Sequence, residues 1–354
     1  MVKMMKKVVV FGEKYFNFVD STAYAFEQLG YDVRIYYMPL LHKTELGIID
    51  HLKYKMKCKS FLDKFYQSAR AGLLEIVNDF KPDMVFSING NSYYEFVNEE
   101  VLKYFKKNDI TTVTWYMDTV KRFEHIEQNI KLFDRVLVFE PNDVPYIREK
   151  YERDAQYLPI GVSEELYCQG KDDVKKLYDV SFVGNPSDKR LELLDRVAEY
   201  CVNNNKKMIV YGHYWHNKHW WQEKFAKKKF AKQHPYLVDF IHNGFISGDK
   251  VANLYQQSKV CLNIHIALHK GVNPRTFEVM GNGNFELCDY REDAKNLGLI
   301  SGENIVLYDS FDECVEKLDY YLNNYDVREK IAKSAADFVR NKYTITKLLK
   351  QVGL

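Results

Sequence analysis

Short apolar runs alternate with longer stretches of helical periodicity along most of the chain, and this alternation constrains the fold more than any other feature. In the first half, the runs that predict strands are Lys7–Phe11, Val33–Tyr37, Met84–Ile88, Thr111–Trp115 and Val136–Phe139. In the second half they are Val180–Val183, Ile209–Tyr211, Val260–Ile264, Phe285–Cys288 and Ile305–Leu307. Strands that alternate with helices are typical of parallel sheets, so the pattern predicts an α/β fold.

Helices are predicted between and after these strands. Ser21 is predicted to cap the helix that follows the first strand, and Gly30 is predicted to end it. The segments 46–80 and 311–350 are predicted to be mostly helical.

A change of pattern near residue 160 predicts a domain boundary. A Pro and a Gly interrupt the short apolar segment Tyr157–Ser163, and the polar stretch Gln169–Lys176 follows it. A chain of 354 residues is also long for one hydrophobic core. We therefore expect two Rossmann-like domains, 1–160 and 161–335, followed by a final helix in 336–354. Whether this helix returns to the first domain is left open. Because ligands of open parallel sheets bind beyond the strand ends, the two domains are expected to face each other across a cleft.

The charge and the cysteine content limit which classes of partner and which cellular compartment are expected for this chain. The 51 basic residues nearly balance the 49 acidic ones, which argues against a dedicated nucleic-acid binder. The six cysteines are scattered without a C-x-x-C pair, as expected of a reduced, cytoplasmic chain. The apolar run Val8–Phe11 is too short for a signal peptide or a membrane span.

The segment after Val260–Ile264 has the pattern of a phosphate-binding helix end. Asn273 stands where an N-cap belongs, and Pro274 follows at the first helical position. The backbone N–H groups at such a helix end favour phosphate oxygens, here those of Arg275, Thr276 and Phe277. The Arg275 guanidinium adds a fork of donors that suits a diphosphate.

Other residues of the same segment extend this pattern. Asn263 and His265 lie at the end of the preceding strand, and Glu278 is placed to accept the hydroxyl groups of a ribose. The alternative is an ordinary cap with a surface pair of Arg275 and Glu278 at i,i+3 spacing.

A second phosphate pattern follows the strand Val180–Val183. Gly184 and Asn185 form a turn, and Lys189 and Arg190 fall in the first turn of the next helix. Basic side chains there oppose the helix dipole, so a bound anion would account for them. The alternative is a solvated pair of basic side chains.

Together these segments resemble the CgeB-like (spore-maturation) glycosyltransferases of the group-one superfamily, which has the GT-B fold. The resemblance rests on Phe182-Val-Gly184 with Arg190, Asn263-Ile-His265, Asn273-x-Arg275-x-Phe277-Glu278-x-x-Gly281-x-Gly283, the linker Leu158–Val162 and the segment Tyr255–Asn263. It covers Tyr157–Tyr343 well. Before that, only Trp115-Tyr-x-Asp118 is similar to the family.

The resemblance implies transfer of a sugar from a nucleotide-sugar, with UDP as the expected nucleotide and retention of configuration as an open expectation. By this resemblance Glu278 would hold the ribose, Arg275, Lys189 and Arg190 would face the diphosphate, and Gly244-Phe245-Ile246 would contact the base. It also implies no metal ion or other cofactor. The chain departs from the superfamily at Lys270, where a glutamate that positions the sugar often stands.

Two residues of the first half are candidates for the acceptor side. Asp118 follows a predicted strand and could orient or deprotonate an acceptor hydroxyl, or instead cap the next helix. Gly12 follows the first strand and could admit the acceptor to the backbone, or form a plain turn.

Two weaker patterns remain. His213, His216 and His219 have a spacing that can suit a metal, but a polar loop is the simpler interpretation. The segment 218–232 mixes lysines with aromatic residues, which fits weak contact with an anionic membrane surface, or a core-facing helix with a solvated lysine face.

Two other functions compete with sugar transfer. An epimerase acting on a nucleotide-sugar would share the fold but needs acid and base groups around the sugar, and Asp118 is the evident candidate. The other competing function is a catalytically inert module that binds a sugar-nucleotide or a partner. This alternative stays open because Lys270 stands where the superfamily often has a glutamate that positions the sugar.

Overall fold

The structure is a computed structural model, and it describes residues 5–14, 17–39, 47–89, 96–122, 130–168, 174–215, 220–266 and 269–354. The chain forms two compact units. The first comprises Met1–Ile160 with Leu349–Leu354, and the second comprises Gly161–Leu348.

The first unit contains a six-stranded sheet in the order β2-β1-β3-β4-β5-β6, with every neighbouring pair parallel. Its strands are β1 (Lys7–Glu13), β2 (Asp32–Met38), β3 (Met84–Ile88), β4 (Thr111–Tyr116), β5 (Arg135–Val138) and β6 (Gln156–Tyr157). Its helices are α1 (Phe18–Gln28), α2 (Ile48–Lys55), α3 (Lys59–Phe80), α4 (Glu99–Lys107) and α5 (Asp143–Tyr151). The strand order reverses between β1 and β3, so the carboxyl ends of these strands mark the switch point of the sheet.

Apolar residues of the strands form the core of this unit. Val9 and Phe11 of β1 pack with Leu73 of α3 and Phe105 of α4. At Gly12 a Cβ atom would lie 2.9 Å from the Ile88 Cβ, so close packing between β1 and β3 accounts for glycine here.

The second unit repeats this architecture with the order β12-β11-β10-β7-β8-β9, again parallel throughout. Its strands are β7 (Tyr178–Val183), β8 (Met208–Gly212), β9 (Ile241–Asn243), β10 (Ser258–Asn263), β11 (Glu286–Asp289) and β12 (Val306–Tyr308). Its helices are α6 (Glu164–Tyr167), α7 (Asp188–Asn203), α8 (Trp220–Gln233), α9 (Gly248–Gln256), α10 (Pro274–Gly281), α11 (Glu292–Asn296), α12 (Phe311–Asn323) and α13 (Tyr325–Lys342), and α14 (Ile345–Gln351) follows. The order reverses between β7 and β10, which places the switch point of this sheet at Val183 and Asn263.

The predicted strands are all present, and the structure adds two short ones, β6 and β9. The predicted cap Ser21 is wrong, because α1 begins earlier and Ser21 lies buried inside it after the N-cap residue Asn17. Gly30 follows the end of α1 with φ of 84°, as predicted for a helix stop.

Residues 343–352 take part in both units. In the second unit, Val162 exchanges backbone hydrogen bonds with this segment: its N–H donates to the Tyr343 carbonyl at 2.9 Å, and Ile345 N–H donates to its carbonyl at 3.1 Å. In the first unit, the Arg135 guanidinium donates to the Val352 carbonyl. Gly161 has φ of 71°, and a Cβ there would lie 2.6 Å from the Tyr343 carbonyl oxygen, so both conformation and space require glycine.

Among the helices that the structure describes, every one is too short or too polar to cross a bilayer.

Candidate functional site

The candidate site lies at the switch point of the second sheet, where β7 and β10 are neighbours. Beyond β7 the chain turns at Gly184, whose N–H donates to the Tyr211 carbonyl at 2.8 Å. A Cβ on Gly212 would lie 2.2 Å from the Gly184 carbonyl oxygen, so the loops after β7 and β8 approach each other closely. Polar side chains from four elements converge next to this turn.

Asn263 at the end of β10 joins the strand to the first turn of α10. The side chain is fully buried. Its Nδ2 group lies 3.0 Å from the Asn273 Oδ1 and Thr276 Oγ1 atoms and 2.8 Å from the Glu286 Oε1. Its Oδ1 accepts from Arg275 Nη1 and Asn273 Nδ2, each at 3.0 Å. One amide therefore fixes the position of the helix end and of its arginine.

His265 fixes the same helix end from a second direction. Its Nε2 atom accepts the backbone N–H of Asn273 at 3.0 Å, so its Nδ1 carries the proton and donates to the Asp289 Oδ1 at 2.7 Å. Burial lowers the pKa of His265 to about 4, against the opposing effect of Asp289. The ring is therefore neutral and works as a buried hydrogen-bond bridge.

Asp289 is the carboxylate at the centre of this part of the site. Its Oδ1 also accepts the backbone N–H of His265, and its Oδ2 accepts from Lys189 Nζ at 2.6 Å and Arg291 Nη2 at 2.8 Å. Burial alone would raise the pKa of Asp289, but the hydrogen bond from His265, the charge of Arg291 and the hydrogen bond from Lys189 hold it well below its ordinary value. Lys189, which the resemblance assigned to a diphosphate, is thus held in an ion pair with Asp289.

Glu286 at the start of β11 is a second buried carboxyl group. Its Oε1 accepts from Asn263 and from the Thr276 hydroxyl at 2.9 Å, whereas its buried Oε2 has no hydrogen-bond partner among the residues that the structure describes. Burial raises the pKa of Glu286 to about 7, and the hydrogen bonds from Asn263 and Thr276 oppose this rise. A proton is therefore held here over a wider pH range than on an exposed glutamate.

Two arginines converge on the ring of Phe182 at the end of β7. The guanidinium carbons of Arg190 and Arg275 each lie 5.5 Å from the centre of this ring. Arg190 donates to the carbonyls of Ile264 and Asn185, both at 2.8 Å. Burial and the charge of Arg275 lower the pKa of Arg190 to about 10. Two like charges at one apolar ring produce a local positive potential that favours an anion.

The first turn of α10 differs in part from the expected cap. Asn273 occupies the N-cap position, but its side chain pairs with Asn263 and makes no capping hydrogen bond to the helix. Thr276 and Phe277 are fully buried, and the Phe277 ring packs 5.3 Å from that of Tyr343. Their side chains therefore serve packing and hydrogen bonding, and the Thr276 backbone N–H donates to the Asn273 carbonyl at 3.3 Å.

Glu278 is half-buried on α10 and is not part of a surface ion pair. Both it and Arg275 are described, and no ion pair joins them. Burial raises the pKa of Glu278 to about 7, although the charge of Arg275 lowers it. Burial raises the pKa values of the Tyr167 and Tyr255 hydroxyls, and the charge of Glu278 raises them further.

The loop Gly244-Phe245-Ile246, expected to contact a base, follows β9. Gly244 has φ of 149° and donates its N–H to the Gly212 carbonyl at 2.9 Å, which ties this loop to the turn after β8. Phe245 is largely exposed. Phe245 and Ile246 line a cavity of about 510 Å³ together with residues of β8 and α9.

The acceptor candidate Asp118 lies in the first unit, two residues after the end of β4. Its Oδ1 accepts the backbone N–H of Thr119 at 2.8 Å, and its Oδ2 pairs with Arg122 Nη1 at 2.5 Å. These contacts hold the carboxylate at the start of a short 3₁₀ turn, Val120–Arg122, which is the capping role weighed for it. At the switch point of this sheet, burial raises the pKa of Glu13 to about 7.

The histidine pattern is only partly covered, because His216 and His219 lie outside the described residues. His213 donates its backbone N–H to the Asn185 Oδ1 at 3.1 Å. Among the described residues, His265, Cys288 and Asp289 bring potential metal-ligand atoms within 4.8 Å of one another. The ring nitrogens of His265 and the Asp289 oxygens already make the hydrogen bonds described above, which account for this arrangement.

Sequence reasoning missed Glu286, Asp289, Arg291 and Glu13 as members of these sites. The available signal was an acidic residue inside or at the end of a short apolar strand, as in Glu286-Leu-Cys-Asp289. Such residues are rarely buried without a partner, so their position alone points to a polar network.

Comparison with known proteins places this site in a recognised domain. Residues 190–352 match the family model described as "Glycosyl transferase-like". This region contains Arg190, Asn263, His265, Arg275 and Glu278. No curated protein matches the chain significantly in sequence.

Solved structures match the whole chain. Sucrose-phosphate synthase from Thermosynechococcus elongatus is similar with a TM-score of 0.65 and 12% identity, over 98% of this chain and 97% of that one. A glycosyltransferase from Rickettsia africae has a TM-score of 0.63 and 12% identity, over 99% and 97%. HepE from Anabaena, in complex with UDP and glucose, has a TM-score of 0.60 and 13% identity, over 98% of each chain. The chain therefore has the GT-B fold, as predicted, and its second unit carries a glycosyltransferase-like domain.

Proposed function

We propose that the protein is a glycosyltransferase that transfers a sugar from a UDP-sugar to an acceptor still to be identified. The donor nucleotide is assigned to the switch point of the second sheet. Support comes from the glycosyltransferase-like match over residues 190–352 and from HepE, a fold neighbour whose structure holds UDP and glucose. Within this class, the sequence motifs favour the CgeB-like subfamily, and six free cysteines favour a cytoplasmic location.

The observation that carries this proposal is the convergence of Arg190 and Arg275 on Phe182, beside a half-buried glutamate on α10. The pKa values of Glu278 and Glu286 are both raised, and the ionised Asp289 already pairs with Lys189 and Arg291. The carboxyl groups of the site therefore compensate Arg190 and Arg275 only partly near neutral pH. A diphosphate would supply the missing negative charge. Glu278 would then accept hydroxyl groups of the ribose.

The same groups would also catalyse the departure of the nucleoside diphosphate from the sugar. As the bond between the anomeric carbon and the phosphate oxygen breaks, negative charge grows on that oxygen. Arg275 and the backbone N–H groups at the start of α10 would stabilise this charge, and their fixed positions avoid reorganisation during the reaction. Asn263 contributes indirectly, because its Oδ1 holds Arg275 in place.

Metal independence is part of the proposal, because guanidinium groups and a helix end can stabilise the leaving diphosphate themselves. Donor hydrolysis or transfer is expected to survive EDTA. Complete loss with EDTA, restored by magnesium or manganese, would overturn this leaving-group mechanism.

The experiment that tests the central assignment compares two ligands on one variant. Glu278→Gln replaces one acceptor oxygen by a donor, so it should weaken UDP binding but hardly affect 2′,3′-dideoxy-UDP, which has no ribose hydroxyls at those positions. Calorimetric titration of the wild type and the variant with both ligands gives the answer. Equal weakening of both ligands, or of neither, would remove Glu278 from the ribose site.

Product analysis then separates transfer from the competing functions. Incubation with UDP-glucose and other UDP-sugars should release UDP, by transfer or by slow hydrolysis. An epimerised donor would identify an epimerase, and donor binding without turnover would identify a binding module.

A further inference from the structure

We propose that the outer face of α8 docks the protein onto an anionic membrane surface, independently of the sugar-transfer site. The helix carries five lysines, Lys224, Lys227, Lys228, Lys229 and Lys232, against one acidic residue, Glu223. The chain as a whole has a net charge of only +2, so this helix is a local concentration of positive charge.

The helical period collects most of these lysines on one side. Lys224, Lys228 and Lys232 follow one another at i, i+4 and i+8, and Phe225 and Lys229 form the adjacent stripe. All five side chains are exposed. We call these five residues the α8 face. Among the described residues, Lys228, Lys229 and Lys232 form no ion pair, so their charges are available to a partner.

The opposite side of α8 is fixed to the second unit. Phe230 is buried, and its ring lies 5.6 Å from that of Trp215 and 4.8 Å from that of His234. Glu223 is half-buried, and Lys227 lies 3.8 Å from an Asp239 oxygen. The helix is therefore held with the α8 face outward and with its acidic residue turned away from that face.

Phe225 decides which anionic partner fits. It is 70% exposed and lies among Lys224, Lys228 and Lys229 on the helix surface. Against a polyanion such as a nucleic-acid backbone, an isolated phenyl ring would gain little from its position. At a lipid surface, lysines contact the headgroups while an aromatic ring enters the boundary with the acyl chains. The combination therefore favours a bilayer containing anionic lipid.

The test is sedimentation of the full chain with vesicles of phosphatidylcholine, alone or mixed with phosphatidylserine. Binding is expected only to the mixed vesicles, and it should weaken as salt is added, because exposed charges are screened. Each lysine near an anionic surface contributes about fivefold in affinity, so Lys228→Gln combined with Lys232→Gln should weaken binding about 25-fold.

A matched control carries the same change in net charge elsewhere on the second unit. Lys330→Gln with Lys333→Gln alters two exposed lysines of α13 and should leave vesicle binding unchanged. An equal loss in this control, or equal binding to phosphatidylcholine alone, would overturn the assignment of the α8 face.

Phe225→Ser separates a membrane from a soluble polyanion. It should weaken vesicle binding about tenfold, because an aromatic ring is no longer buried at the lipid boundary. Binding to heparin should be unaffected, and Ile300→Ser, at another exposed apolar residue, should change neither. If Phe225→Ser leaves vesicle binding unchanged while heparin binds as tightly as the vesicles, the α8 face is a polyanion site and the proposal fails.

Discussion

The two sheets of this protein have corresponding switch points, but the side chains at these two points differ in burial and in hydrogen bonding. In the second unit, the carboxyl ends of β7 and β10 meet a buried network of Asn263, His265, Glu286 and Asp289. In the first unit, the corresponding ends of β1 and β3 carry Gly12, Glu13 and Asn89, and the nearby Asp118 is tied to an exposed Arg122.

This difference shows how one architecture provides two kinds of surface. The second switch point fixes a helix end and two arginines through buried hydrogen bonds, which suits a ligand whose charge must be met in a fixed geometry. At the first, the local bonds of Asp118 hold an individual side chain in place.

The largest expected effect concerns Asp289. Asp289→Ala would leave Lys189, Arg291 and the Nδ1 of His265 without their shared carboxylate. Breaking a buried ion pair by removing one partner costs about 3–5 kcal/mol, so the free energy of unfolding should fall by that order. Chemical denaturation measures it.

The matched change in the first unit is Asp118→Ala. Its partner Arg122 is half-exposed, and such pairs contribute about 0–1 kcal/mol, so stability should change little. Similar losses for Asp289→Ala and Asp118→Ala would contradict the contrast between the two switch points.

The next largest effect is a pH dependence of the free energy of unfolding, and Glu286 is its source. Its folded-state pKa of about 7 lies above the ordinary 4.5, so the folded protein binds the extra proton between these values. The resulting stabilisation is fully present below pH 4.5 and is lost as pH rises through 7. It amounts to at most about 3 kcal/mol.

Glu286→Gln removes this titration while keeping an acceptor for Asn263 and Thr276. The difference in unfolding free energy between wild type and variant should therefore decline as pH rises from 4.5 to 7. Urea denaturation at a series of pH values provides the curve. A difference that is flat across this range would mean that Glu286 keeps an ordinary pKa.

Removing one arginine from each unit, Arg275 or Arg122, compares the two switch points by their effect on UDP binding. Charge-assisted hydrogen bonds contribute roughly 1.5–3 kcal/mol, so Arg275→Ala should weaken UDP about ten- to a hundredfold. Catalysis should slow further, because phosphate charge grows in the transition state. Arg122→Ala, which removes a guanidinium from the first unit, is the control, and calorimetry with UDP should show no change for it. Equal weakening by both variants would place the nucleotide elsewhere.

The smallest effect on donor affinity is expected for Asp118→Asn. Asparagine retains the acceptor for the Thr119 N–H, so the 3₁₀ turn should persist. If Asp118 contacts the acceptor, transfer should slow while UDP affinity and thermal stability stay near wild type. Normal transfer rates would leave Asp118 with its capping role alone.

The fold was predictable from the sequence wherever a strand formed an apolar run. Ten apolar runs matched ten strands, including the three-residue β12, whereas β6 (Gln-Tyr) and β9 (Ile-His-Asn) contain polar residues and form no such run. Ser21 failed as a cap because a polar residue in a buried helix face looks the same in sequence as a capping residue.

The candidate site was predictable only in part, since its members come from distant segments. The roles of Asn263, Arg275 and Glu278 stay predictions, and the structure adds a hydrogen bond from Arg275 to Asn263. Nothing local indicates that Lys189 pairs with Asp289, a residue 100 positions later, because only the parallel order of the sheet brings them together. Asn273 instead pairs with Asn263, ten positions earlier in the same strand–loop–helix unit, and does not cap its helix.

The hydrogen bonds of residues 343–352 have a consequence for how the chain is made. Val162 has its partner only when Tyr343 and Ile345 have been synthesised, and Arg135 has its bond only when Val352 has. At about 5–20 residues per second, a ribosome needs roughly 10–40 seconds to pass from the first unit's residue 160 to residue 352. During that interval the first unit has all six of its strands but lacks Leu349–Leu354, the segment that belongs to it at the other end of the second unit. Variants within residues 343–352 cannot change that interval, so their effect should appear only after residue 352 has been made, as a weaker hold on Val162 and Arg135.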